Sequence, residues 1–328
     1  MAVNCKNQNE YFMSVKILIT GSSGFLGSHL TPLLKKIYGK SHVIGICSSD
    51  FDLLQEKKVE DMFIAYKPEI IIHLAAYSGG IGANQEFPAD FFYRNNLFVT
   101  LMFEAAAKHK VKKLIYTMGG CSYPSNAISP ISENQMWDGY PQKESAGYSM
   151  AKKMGLVASM CYREQYGLDS TVLIPGNMYG EYDNYRIGES HVVPGMLRRY
   201  FEAKLNKINK IDMWGDGSPV RDFVYVNDVA QLIPWFIENY NNSDPINIST
   251  GTTTSILELA NLIKEKMSWD GEINWDKSKP NGQLIKIFDT KKLNDLGLNC
   301  PTSLNDGLSK TIDWFEINYT NKSDRIRL

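Results

Sequence analysis

No stretch of this sequence approaches the roughly 20 consecutive apolar residues that a membrane-spanning helix needs, so no membrane partner is expected. Neither sign of charge dominates. Lys and Arg number 35 against 36 Asp and Glu, a net charge of −1 over 328 residues. With no basic field to attract phosphate or an anionic surface, a nucleic-acid partner is not expected either. Cysteine is sparse: Cys5, Cys47, Cys121, Cys161 and Cys300 are scattered and odd in number. No C-x-x-C pair occurs, so the pattern indicates neither a disulfide framework nor a zinc site, and no metal is expected. Free thiols fit a reducing, cytoplasmic setting. No internal repeat or low-complexity segment interrupts the chain. Residues 1–11 are polar, unlike a basic-then-apolar leader, and read as a loose extension. Residues 318–328 are also polar and are expected to fray.

What is present is a rhythm. Residues 15–20 form a buried, β-branched run, glycines follow at once, and a helical pattern starts at Phe25. The alternation continues with strands at 42–46, 70–74, 113–117 and 170–174. Helices at 53–66, about 90–109 and 145–166 lie between them. Such alternation predicts an α/β fold, a doubly wound parallel sheet of the Rossmann kind. After Tyr179 the pattern changes: a polar loop at 181–189, a helix at 193–203 and a short strand near Trp214. Residues 223–248 read as strand, helix and strand returning to the sheet. Ser255 and Glu258 make a capping box that opens a helix to Met267. Short helices are expected around Leu293 and over 303–315. The predicted organisation is a dinucleotide-binding domain over 13–180, its sheet completed by about 223–250, and a smaller C-terminal substrate-binding domain over 181–328.

Gly21-Ser22-Ser23-Gly24-Phe25-Leu26-Gly27 stands at the first strand–helix junction. Glycines there allow a tight turn, let backbone approach a pyrophosphate, and let helix and strand pack closely. The helix N-terminus offers amides to the phosphates. Gly21, Ser23, Gly24, Phe25, Leu26 and Gly27 are therefore candidate cofactor contacts. An acidic residue after the second strand would hold the ribose hydroxyls of NAD. Here Ser48 and Ser49 take that place, and no carboxylate appears before Asp50. Serines do not repel a 2′-phosphate, so NADP(H) is preferred; no arginine or lysine stands there to neutralise it, and NAD(H) remains open. Asp52 and Leu53 are placed beside the adenine. Further on, Tyr148 and Lys152 are four residues apart and share one helix face. An ammonium beside a phenol favours the phenolate, so the pair can exchange a proton with a carbonyl oxygen.

Taken with His73-Leu74-Ala75-Ala76 and Arg221-Asp222-Phe223-Val224-Tyr225-Val226-x-Asp228, these motifs resemble the extended short-chain dehydrogenase/reductases. More narrowly the chain resembles the GDP-L-fucose synthases, which are 3,5-epimerases and 4-reductases of a GDP-4-keto-6-deoxy sugar. Gly79-Gly80-Ile81-Gly82-Ala83-Asn84, Cys121-Ser122-Tyr123-Pro124 and Asn177-Met178-Tyr179-Gly180 carry that likeness. So do Asp183-Asn184, Ser190-His191-Val192-Val193-Pro194, Leu197-Arg198-Arg199 and Ser278-Lys279-Pro280-Asn281-Gly282. It extends from Val15 to about Phe315. The resemblance implies a GDP-sugar substrate, hexose or heptose, and a homodimer built from the helices near 90–109 and 145–166. Tyr148 would be the acid, tuned by Lys152, while Cys121 and His191 would epimerise the ring. Leu74, Ala75, Ala76, Asn95 and Asn177 would join the cofactor site, and Asn177, Arg199, Trp214 and Arg221 the substrate site, with Lys286 a further diphosphate candidate.

Two departures matter. The family carries serine or threonine four residues before Tyr123, where this chain has Gly119, and aspartate where it has Asn281. Thr117, two residues earlier on the strand, should face the same way as residue 119. Losing one preorganised donor can cost on the order of 10²-fold in rate. Reduction without epimerisation therefore stays open, as does a nucleotide-binding regulator with a degraded site.

Overall fold

A computed structural model describes residues 15–278 and 281–328. The expected loose extension over 1–11, and Lys279 and Pro280, lie outside the described residues. The sheet begins with β1 (Ile17–Thr20), β2 (Val43–Ile46), β3 (Ile70–His73), β4 (Lys113–Thr117) and β5 (Asp169–Pro175). After β5 the chain forms β6 (Asn177–Tyr179), β7 (Lys210–Trp214), β8 (Val220–Arg221), β9 (Phe223–Tyr225) and β10 (Ile246–Ile248). Six of these make one sheet in the order β10-β5-β4-β3-β1-β2, every pair parallel. Ile17 pairs with Val43 on one side and Ile70 on the other. All four residues of β1 are buried, because helices cover both faces of a parallel sheet.

The helices in chain order are α1 (Phe25–Tyr38), α2 (Glu56–Tyr66), α3 (Ile81–Glu86), α4 (Pro88–Lys108) and α5 (Ala146–Tyr166). They continue as α6 (Val192–Leu205), α7 (Val226–Asn239), α8 (Ile256–Lys266), α9 (Lys291–Asp295) and α10 (Leu304–Thr320). Leu30 and Leu34 of α1 share a core with Ile233 and Phe236 of α7. Phe63 of α2, Phe103 of α4 and Leu156 of α5 belong to a second core. Chain order reverses at β1, whose neighbours are β2 and β3. Ligands of open α/β sheets bind at such a switch point, outside the carboxyl ends of the strands. No helix among the described residues is long and apolar enough to cross a membrane.

Three expectations change. The helix expected from Leu53 starts at Glu56, because the Asp52 carboxylate accepts the Leu54 amide at 3.0 Å and holds a turn there. Of the two strands expected to return to the sheet, only β10 does; β9 pairs with β6 instead. Buried Asp222 explains this: its carboxylate accepts the Gly251 amide and the Thr250 hydroxyl, while its carbonyl accepts the Asn177 side chain at 2.8 Å. The C-terminal end does not fray at 318. α10 runs to Thr320, and Ile326 is 8% exposed in a third core with Tyr185, Phe201 and Phe315. The capping box of α8 forms as expected: the Ser255 hydroxyl accepts the Glu258 amide at 3.1 Å, and the Glu258 carboxylate accepts the Ser255 amide at 2.7 Å.

Candidate active site

A cavity of about 770 Å³ opens at the switch point and runs from the glycine loop to the residues after β6. Gly21, Ser23, Gly24, Phe25, Leu26 and Gly27 form one wall, with Leu74, Ala75 and Ala76 across from them. The glycines are needed here. Gly21 has a φ of 71°, and a Cβ on it would lie 2.9 Å from the Ala75 amide nitrogen. A Cβ on Gly27 would lie 2.2 Å from the Gly21 carbonyl oxygen. The turn therefore leaves bare backbone at the start of α1, a fit for a dinucleotide pyrophosphate. Gly27→Ala should weaken binding of a nicotinamide dinucleotide by about tenfold or more, near 1.4 kcal/mol. Titration calorimetry checks this, and wild-type affinity would contradict the cradle.

At the other end of that wall Ser48, Asp52 and Leu53 line the cavity. Ser49 does not; its hydroxyl lies 3.0 Å from the Cys47 sulfur. Asp50 folds back and accepts the Cys47 amide at 2.8 Å, a bond that holds its carboxyl below the usual range. Asn95 also stands outside the lining. It is buried and braces the loop after β3, donating to the Tyr77 and Phe91 carbonyls and accepting the Tyr77 amide at 3.0 Å. Asn177 lines the cavity.

Tyr148 and Lys152 enter from the first turns of α5. The Lys152 ammonium lies 4.4 Å from the centre of the Tyr116 ring, and the Tyr116 hydroxyl donates to the Lys152 carbonyl at 3.1 Å. Gly155 lets α5 sit this close, since a Cβ there would lie 2.1 Å from the Tyr116 ring. Burial pushes the Lys152 ammonium down to about 7, against the opposing pull of Cys121. It pushes the Tyr148 phenol up, and Cys121 adds to that. The spacing alone predicted the reverse for Tyr148; desolvation, with Cys121 adding to it, sets the direction, so the phenol keeps its proton and is available as an acid.

Gly119 and Cys121 follow β4. Gly119 has φ −95° and ψ 143°, a conformation open to any residue. A Cβ there would lie 3.1 Å from the Cys121 sulfur and 3.8 Å from the Tyr148 hydroxyl. A side chain at 119 would thus stand between these two groups. Gly120 differs: a Cβ on it would lie 2.4 Å from the buried Phe288 ring, so glycine is required. Thr117 lines the cavity, as its place on the strand suggested, with its hydroxyl 3.5 Å from the His73 carbonyl.

His191 lines the cavity from the N-terminal cap of α6. Arg221 and Lys286 line it from paired strands, β8 and a short parallel strand Ile285–Lys286, where they are direct Cα partners. Burial pushes both cations down, and Lys286 in addition feels Cys121 favourably and Arg221 unfavourably. Two cations held side by side make a site for an anion carrying more than one charge. Arg199 and Trp214 are not brought in. Arg199 donates to the Asp212 carbonyl at 2.9 Å, and Trp214 is 62% exposed at the end of β7. Asp183 and Arg327 are among the lining residues to which the sequence assigned no role. Asp183 was visible only as part of a matching stretch, and Arg327 lies in the tail expected to fray.

The sheet order, the glycine turn at the switch point and the Tyr148–Lys152 pair define a nicotinamide-dependent enzyme of the short-chain dehydrogenase type. Residues 17–249 match the NAD dependent epimerase/dehydratase family, and the chain belongs to it. Among its relatives is GDP-L-fucose synthase 1 of Arabidopsis thaliana, 36% identical over 309 residues, which cover 94% of this chain and 95% of that one. The structure is similar to a GDP-L-fucose synthetase from Naegleria fowleri bound to NADP, with TM-score 0.86, 28% identity and 96% coverage of each chain. It is also similar to a GDP-6-OMe-4-keto-L-xylo-heptose reductase from C. jejuni, with TM-score 0.85, 26% identity, and coverage of 93% of this chain and 99% of that one.

Proposed function

We propose that this enzyme reduces carbon 4 of a GDP-4-keto-6-deoxy sugar, hexose or heptose, with NADPH, and that Cys121 and His191 first epimerise carbons 3 and 5. One observation carries the reading: Tyr148, Lys152, Cys121, His191 and the Arg221–Lys286 pair line the same cavity as the glycine cradle. The names of the similar proteins support a GDP-sugar. NADP is supported by the bound cofactor of the Naegleria relative and by Asp50, which is turned onto Cys47 rather than towards a 2′-phosphate.

The glycine cradle would hold the dinucleotide, which when bound would supply the hydride. Arg221 and Lys286 hold the diphosphate of the substrate, and Tyr148 gives its proton to the oxygen on carbon 4. Lys152, charged below about 7, stabilises the phenolate left behind. The 4-keto group acidifies the protons on carbons 3 and 5. The Cys121 sulfur removes one of them, and His191 returns a proton to the other face of the ring. Hydrogen-bond donors aimed at the developing oxyanion lower the barrier; Thr117, two residues before Gly119, is one hydroxyl of the cavity lining that could serve. That same glycine favours a second reading, reduction alone, since the hydroxyl family members place beside both catalytic groups is missing. Incubation with NADPH and GDP-4-keto-6-deoxymannose in deuterated water, followed by NMR of the product, decides. Deuterium at carbons 3 and 5 with reduction at carbon 4 supports the full reading; reduction without ring deuterium supports the second; neither reaction refutes both.

The active form is proposed to be a homodimer through α4 and α5, which carry exposed Phe92, Tyr93, Val157 and Met160. Helices from two copies would bury these in a four-helix bundle. Light scattering at micromolar concentration is expected to give twice the 37.1 kDa chain mass; the single-chain mass would contradict it.

A further inference from the structure

We propose that Arg327, carried by the C-terminal segment, is a positioning residue of this site: it clamps the loop over 181–191 and thereby holds His191 against the cavity. The clamp itself does not depend on the reaction; the role of His191 rests on the reading above.

The C-terminal segment lies against that loop like an added strand. The Arg327 carbonyl accepts the Tyr185 amide at 2.9 Å, and Asn184 and Arg327 form a parallel bridge. The Arg327 guanidinium donates to the Tyr182 carbonyl and also lines the cavity. Ile326, beside it, anchors the segment in the third core. The loop is fixed at three further points. Tyr185 is fully buried, its ring centre 4.5 Å from that of Phe315. Arg198 donates to the Tyr185 carbonyl at 2.9 Å. Near the far end, the Glu189 carbonyl accepts the Gly80 amide at 2.8 Å.

Two features show that the clamp bears on the site and not on stability alone. Tyr182 has a φ of 67°, an uncommon conformation for a residue with a side chain, and such strain persists only where the surroundings hold it. Arg327 bonds the carbonyl of that same residue. Next to it, Asp183 is buried in the cavity wall. One of its oxygens accepts the Asn184 amide at 2.7 Å, and the other, buried, has no hydrogen-bond partner. Burial pushes the Asp183 carboxyl up, while His191, the Asn184 amide and Arg327 pull it down. Arg327 therefore supplies opposite charge to a carboxylate that shares its surroundings with His191. A buried carboxylate stripped of such a partner is strongly disfavoured, and the loop would move to expose it.

The test uses the full chain with Arg327→Ala and Arg327→Lys. Two readouts are taken: amide hydrogen exchange over 181–191 against 21–27, and NADPH-linked turnover of GDP-4-keto-6-deoxymannose with and without added guanidinium ion. In Arg327→Ala, exchange over 181–191 is expected to rise about tenfold or more while 21–27 stays unchanged. The kcat should fall about tenfold with NADPH affinity unchanged, guanidinium should recover part of the loss, and lysine should do so less completely than arginine. Wild-type exchange over 181–191 would overturn the clamp. Raised exchange with wild-type kcat, or a loss that neither guanidinium nor lysine recovers, would overturn the positioning role. If the wild type turns over no such sugar, the proposed function has failed, and the exchange measurement alone then decides the clamp.

Discussion

Tyr148→Phe is expected to lower turnover by about 10²–10⁴-fold, the usual worth of a positioned general acid, while leaving NADPH affinity nearly unchanged. Only the phenol oxygen is lost. The ring stays, with its centre 6.2 Å from that of Phe91, so the wall of the cavity should keep its shape. The structure sharpens the expectation. Burial holds the phenol protonated, so the proton it gives to the substrate oxygen is present throughout the neutral range. Stopped-flow reduction and fluorescence titration of NADPH measure the two quantities separately. Turnover close to wild type would remove Tyr148 from the acid role.

Cys121→Ser should separate two reactions that share one cavity. Reduction at carbon 4 needs hydride, Tyr148 and Lys152, and no base at carbons 3 or 5. A serine hydroxyl is a far weaker acid than a thiol, whose unperturbed value is about 8.5, so it is a poor base towards carbon. Deuterium entry into the ring should drop by about 10²-fold or more, and the product should be reduced but not epimerised. Glycine at 119, whose Cβ position lies 3.1 Å from the Cys121 sulfur, puts no side chain against residue 121, and a hydroxyl smaller than the thiol adds no steric conflict. Product NMR checks the outcome. A variant that still exchanges both ring protons at the wild-type rate would remove Cys121 from the base role.

The sheet was legible in the sequence because its strands are short, β-branched and separated by helical periods, as Ile17–Thr20 and Ile70–His73 show. The glycine cradle was legible for the same local reason: Gly21 and Gly27 sit at the one junction where backbone has to approach backbone. Long-range choices were not legible. Phe223–Tyr225 reads as a sheet strand by pattern, and only the buried Asp222 with its partners around 177 and 250 assigns it to β6. Ile326 and Arg327 sit in a polar tail; their roles follow from contacts with residues more than a hundred positions earlier. The direction of the Tyr148 shift also escaped the sequence. Spacing reports the neighbour, Lys152, but not the burial and the nearby Cys121 that set the direction. The missing hydroxyl at residue 119 was legible as a departure, and the structure adds that its place lies between Cys121 and Tyr148.

The central claim is hydride transfer to carbon 4 of a GDP-4-keto-6-deoxy sugar. The most direct measurement uses NADPH carrying deuterium at both positions on carbon 4 of its nicotinamide, in ordinary water, with GDP-4-keto-6-deoxymannose and its heptose analogue. The account predicts that NADPH is consumed with one of them and that NMR and mass spectrometry find one deuterium on carbon 4 of the product sugar. Failure to consume NADPH with either sugar, or a reduced product without deuterium at carbon 4, would contradict it.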